Sequence, residues 1–169
     1  MWQPEGASKW FARCEYLATL QELARGTTAP RIREAFCALD RLADERPDVG
    51  RSQALEHWAA EYGFLDPWLV ELWADTLDLW RSYPDGRGVW EVAWPTFDYF
   101  NERAEVGEPK RTLQHFRWLA LHQVGQLTYE QLAEHEQGES GLDISTISRA
   151  LTATATLIGL TLRPAPRRH

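Results

Sequence analysis

Residues 127–163 read LTYEQLAEHEQGESGLDISTISRALTATATLIGLTLR. The pattern is that of two short helices separated by a turn. Thr128, with Gln131 three residues later, makes a capping box, in which each side chain satisfies a backbone N–H that a helix start leaves unpaired. Tyr129, Leu132 and Ala133 then share the inward face of the first helix. A stretch around Gln137, Gly138, Glu139, Ser140 and Gly141 forms the turn. The second helix runs from about Ser145 to Ile158, with Ile147, Ala150, Leu151, Thr154 and Ile158 buried.

Subtracting that buried set leaves Ser145, Thr146, Ser148, Arg149 and Thr152 on the outer face, near the start of the second helix. Small polar side chains there can approach base edges, and an arginine can pair bidentately with guanine. Hydroxyls and the helix N-terminus can meet phosphates. This arrangement resembles the helix-turn-helix of bacterial regulators. The TYEQLAE half is similar to the corresponding helix of sigma-factor region 4, and the TISRAL half to the start of the recognition helix in the LacI family. The resemblance covers about a fifth of the chain. It implies a sequence-specific, double-stranded-DNA-binding protein, a bacterial or phage transcription regulator, whose second helix enters the major groove. The turn is longer than in compact motifs of this kind, and Glu136, Glu139 and Asp143 make it acidic, which opposes a phosphate backbone.

The charge is unevenly spread. Residues 1–108 hold 11 Lys+Arg and 20 Asp+Glu, so 11 − 20 = −9, while residues 109–169 hold 7 and 5, so 7 − 5 = +2. The sum matches the whole-chain charge of −7, which argues against nonspecific nucleic-acid binding by the entire surface. The expected organisation is an acidic Trp-rich helical domain at 1–108, a helix-turn-helix domain at 109–162 and a basic flexible tail at 163–169. Lys110, Arg111, Arg163, Arg167 and Arg168 are the candidate phosphate contacts, and the tail is able to enter a minor groove as an arm.

The rest of the chain reads as all-α. Apolar residues at helical spacing predict helices over 7–25, 30–46, 52–62, 68–82, 96–104 and 112–124. Asp66-Pro67 is an acidic N-cap followed by proline at the first helical position. Between 87 and 95, Trp90, Val92 and Trp94 alternate briefly, which suits a short strand or an extended segment. A second stretch, 58–72, has the compact helix-turn-helix spacing that the first lacks. Its second helix carries Asp66, Glu71, Asp75 and Asp78, which repel phosphate, so it reads as scaffold. Among the nine tryptophans, Trp68, Trp73 and Trp80 fall at core spacing, whereas Trp90 and Trp94 are candidates for a partner interface.

No nucleophile elbow, phosphate-binding glycine loop or convincing Ser/His/Asp set is present, so a non-enzyme is expected. His115 and His122 are too widely spaced for a metal site, and no metal or cofactor is expected. Cys14 and Cys37 read as reduced buried thiols. With no apolar run long enough to span a membrane and no signal-peptide pattern, the expectation is a cytoplasmic protein. One base-reading cation per module implies weak binding by a single copy, hence a homo-oligomer, with the acidic body free to meet a protein partner. The alternative is a structural or interaction protein (phage assembly, RNA-polymerase binding) that uses both two-helix elements for protein contacts.

Overall fold

Proline starts four of the helices, because a fixed φ suits the first helical position and the missing N–H would be unpaired there in any case. The computed structural model describes residues 4–45, 51–93, 110–135 and 143–164, with backbone alone at 4–8, 51–52 and 110–113. Among these residues there are eight helices and no strand. They are α1 (Pro4–Arg25), α2 (Pro30–Asp44), α3 (Arg51–Tyr62), α4 (Pro67–Ser82), α5 (Pro84–Gly88), α6 (Lys110–Gln123), α7 (Tyr129–His135) and α8 (Ile144–Ile158). No described helix is long and apolar enough to cross a membrane.

Over the described part of the alternating stretch, 87–93, no strand forms. Pro84 opens the short helix α5, and the chain then turns through Trp90, a non-glycine residue at φ 53°. The turn is held from outside: Arg25 donates through Nε (2.9 Å) and Nη2 (2.5 Å) to the Val89 carbonyl, and Gln21 donates to that of Trp90 at 3.1 Å. Arg87 clamps α5 to α2 by pairing with Asp40 and, at 2.7 Å, with Asp44. The helix expected at 96–104 lies outside the described residues.

The tryptophans form the heart of the first half. Trp73 is fully buried and packs edge-on against Phe36 (5.6 Å) and Trp58 (5.4 Å), with Phe64 at 5.2 Å. Trp58 and Trp80 bury their rings and still donate their indole N–H groups, to Ala35 O at 2.9 Å and Glu91 O at 2.6 Å. Burying such rings is a large apolar gain only if the N–H finds a partner. Trp73 Nε1 is the exception, buried without one.

One hydrophobic cluster runs from α1 to the end of the described chain. Helix α1 packs on α2, α6 and α8, and α6, α7 and α8 pack on one another. From Trp118 to Val124, α6 is buried all round, including His122 and Gln123. The sequence predicts only one inward stripe there; contact with α1 on one side and α7 and α8 on the other covers the remainder.

Candidate nucleic-acid interface

Helix α8 is held by its inner face. Ile147, Leu151, Thr154, Ala155 and Ile158 are buried; Ala150, expected among them, is half-buried. The helix ends at Gly159, whose φ of 72° lets the Leu160 N–H reach back to Ala155 O at 2.8 Å and close the last turn. Trp68 donates its indole N–H to Gly159 O (3.0 Å), and Arg13 donates to Ile158 O (2.9 Å) while stacking on the Trp68 ring at 4.3 Å. The C-terminal end of α8 is thereby fixed to α1 and α4.

The other end faces solvent. Ile144, Ser145, Thr146, Arg149 and Thr152 are exposed, and Ser148 is half-buried. The helix starts at Ile144, one residue ahead of the expected start, because Asp143 caps it: its carboxylate accepts from the Ser145 N–H (3.3 Å) and from Ser145 Oγ (2.5 Å). These bonds, and the nearby Arg149 charge, hold the Asp143 carboxyl below its ordinary value. Arg149 Nη2 lies 3.5 Å from Ser145 Oγ. A carboxylate therefore occupies the anion position of this helix N-terminus, and the Ser145 hydroxyl proton is committed to it. Thr152 likewise donates its proton to Ser148 O at 2.9 Å, which leaves its oxygen as an acceptor. Thr146, Arg149 and Thr152 are the side chains here best placed to meet a ligand.

Helix α7 begins with the expected capping box. The Thr128 N–H donates to Gln131 Oε1 at 2.9 Å, and the Gln131 N–H donates to Thr128 Oγ1 at 3.1 Å. Leu132 is buried, whereas Tyr129 and Ala133 are half-buried at the edge of the core.

The structure does not bring Arg163 to this surface. Its N–H donates to Gln123 Oε1 at 2.9 Å and its guanidinium to Glu61 O at 3.0 Å, past the far end of α8. Arg163, expected to begin the flexible tail at 163–169, is therefore tethered. Backbone runs through Lys110 and Arg111 at the start of α6, but their side chains lie outside the described residues, as do Trp94, Arg167 and Arg168 entirely. Trp90, expected at a partner interface, is half-buried against Phe36 at 5.7 Å, with the Arg33 guanidinium 5.5 Å from its ring centre. Both cysteines are free. Cys14 is buried, which pushes its thiol up to about 12, and Cys37 is only half-buried.

The anchoring roles of Gln123 and Asp66 escaped the sequence reading. Gln123 donates to Gly63 O at 2.9 Å and to Thr161 O at 3.1 Å while accepting from Arg163, so one amide joins α6, the α3–α4 turn and the C-terminal segment. Gly63 is required there: its φ is 79°, and a β-carbon would stand 2.8 Å from Gln123 Nε2. Asp66, read as a helix cap, makes no cap bond and instead accepts from the Thr161 N–H (3.0 Å) and hydroxyl (2.8 Å). A glutamine late in an amphipathic helix carries no sequence signal for such a role.

Protein-family models, curated proteins and solved structures each give no match to this chain.

Proposed function

We propose that the protein binds double-stranded DNA sequence-specifically through the N-terminal half of α8, as a bacterial or phage transcription regulator. The observation that carries this reading is the exposure of Thr146, Arg149 and Thr152 on a helix whose opposite face is locked onto α6 and α7. A reading helix needs that division, since the buried side fixes its angle and the outer side reaches the groove. Arg149 supplies bidentate donors for guanine, and Thr152 Oγ1 accepts from an exocyclic amine. Asp143 repels phosphate and so weakens nonspecific binding, leaving base contacts a larger share of the affinity. With one cation on this face, two copies acting on two half-sites are needed for tight binding. A protein partner would then meet the acidic outer side of α4, where Glu71 and Asp75 are exposed.

Fluorescence anisotropy with labelled duplex fragments, at low and physiological salt, tests this. Wild type is expected to bind with an affinity that falls as salt rises. Arg149→Ala is expected to lose about tenfold or more and to relax the sequence preference. No binding at low salt removes the DNA reading.

A second reading, a non-enzymatic interaction protein, is favoured by Leu157, which is 43 % exposed and continues the row of Thr146 and Ala153 along α8. Sedimentation velocity of the same samples separates the two. Self-association without DNA, together with absent DNA binding, supports helix-to-helix assembly.

A further inference from the structure

Two guanidiniums meet near the end of α3 with no carboxylate between them. Arg31 Nη2 donates to the Glu61 carbonyl at 3.3 Å, and Arg163 Nη2 donates to the same oxygen at 3.0 Å. The Gln126 amide, with its oxygen turned toward them, accepts from Arg31 Nη2 at 2.9 Å and from Arg163 Nη1. Both cations are half-buried, and both acceptors that bridge them are neutral. Among the described residues neither arginine has a carboxylate within ion-pair reach. Asp66 spends its oxygens on Thr161. Arg31 stacks on Tyr62 at 4.9 Å, and its Nε is buried without an acceptor.

A fully buried cation is ordinarily paired, and a half-buried one bears part of the same desolvation cost, to which a neighbouring like charge adds. Burial and the neighbouring Arg31 charge lower the pKa of Arg163 accordingly. The described chain leaves this pair without its anion. Beside it opens a cavity of about 470 Å³ lined by His122, Gln126, Leu127, Thr128, Arg163 and Pro164. That volume suits a small molecule. Leu127 and Pro164 give it apolar walls, and Arg163 with Gln126 gives it one charged side.

We propose that this cleft binds a small organic oxyanion, a carboxylate or phosphate on a compact apolar body, held by Arg163 and Arg31. The oxyanion replaces the neutral Gln126 oxygen between the two guanidiniums, whose planar forks suit either group. The site goes beyond the DNA reading and is separate from it. Fifteen residues make α8 about 22 Å long, and Arg163 lies past the end opposite Ser145.

Isothermal titration of the full chain with sodium benzoate and with inorganic phosphate, ionic strength matched by chloride, provides the test. Wild type is expected to bind at least one probe saturably. Benzoate preference assigns a carboxylate ligand, and phosphate preference a phosphorylated one. Arg163→Gln and Arg31→Gln should each weaken binding about tenfold or more, the scale of a charge-assisted hydrogen bond, while Arg149→Ala leaves it unchanged. Arg163→Lys keeps the charge and loses the fork, so it too should bind more weakly while circular dichroism remains native. Absence of binding beyond chloride, or equal binding in the Arg163 variants, overturns the proposal and leaves the DNA titration of Arg149→Ala as it stands.

Discussion

Helices α4 and α8 are each preceded by an aspartate in the cap position, and the two aspartates bind different things. Asp66, before α4, turns away from its own helix and takes both donors of Thr161. Asp143, before α8, closes on Ser145 two residues ahead. The surroundings explain the contrast. The start of α4 is crossed by the C-terminal segment, with Trp68 bonded to Gly159 and the preceding Gly63 carbonyl held by Gln123. The start of α8 has Ile144, Ser145 and Thr146 all exposed. A cap residue with a tertiary donor in reach is drawn into packing, whereas one without is left to satisfy its helix locally. Two stretches with a two-helix pattern, one compact and one with a longer turn, thus become a wall of the bundle and an open surface.

The contrast can be tested by substitution, and the largest effect is expected at Trp73. Truncating this ring to alanine opens a cavity between Phe36, Trp58 and Phe64 and should cost about 3–5 kcal/mol in urea unfolding. The counterpart on α8, Thr152→Ala, should stay within about 0.5 kcal/mol. Comparable losses at both positions would mean that α8 is as integrated as α4, and the distinction would fall.

An intermediate effect is expected at the junction. Gln123→Ala strips hydrogen-bond partners from Gly63 O, Thr161 O and the Arg163 N–H. It should cost about 2–3 kcal/mol. Amide exchange should accelerate at Thr161 and Arg163 without a change in the first turn of α8. Faster exchange at Ser145 and Thr146 as well would show that the two ends of α8 are coupled.

The smallest effect concerns pH. Asp143, through Ser145, and Asp44, through Arg87, both have carboxyl groups held below their ordinary value in the fold. The stability they contribute is fully present above the unfolded carboxylate value near ~4 and is lost as pH falls through the lowered folded values. The melting temperature of wild type should therefore drop as pH falls below about 4, and less steeply once Asp44 and Asp143 are both asparagine. An unchanged slope in the double variant would place the acid sensitivity elsewhere.

Much of the helical framework was legible locally. Pro30 and Pro67 fall where short-range φ preference alone starts a helix. The capping box of Thr128 and Gln131 and the inward row Ile147, Leu151, Thr154 and Ile158 were readable for the same reason. Of the two forms expected near Trp90, a short strand or an extended segment, the strand does not form because alternation over so few residues carries no partner strand, and contacts from Gln21 and Arg25 set the turn instead. At the candidate interface, the exposed face with Arg149 followed from periodicity. Asp143 as the cap did not follow, nor did the removal of Arg163 to the other end.

The sequence by itself determined an all-α chain, the proline starts of α2 and α4, and which side of α8 turns outward. Periodicity, proline geometry and capping act within a few residues, so a single strand of text contains them. Only the tertiary structure decided that α6 is buried on every side from Trp118 onward, that Asp66 serves Thr161, and that Arg31 and Arg163 share two neutral oxygens. Those outcomes depend on which groups from distant positions compete for one donor or one patch of apolar surface. Arg31 and Arg163 stand 163 − 31 = 132 positions apart, and only the fold brings them within reach of the same carbonyl.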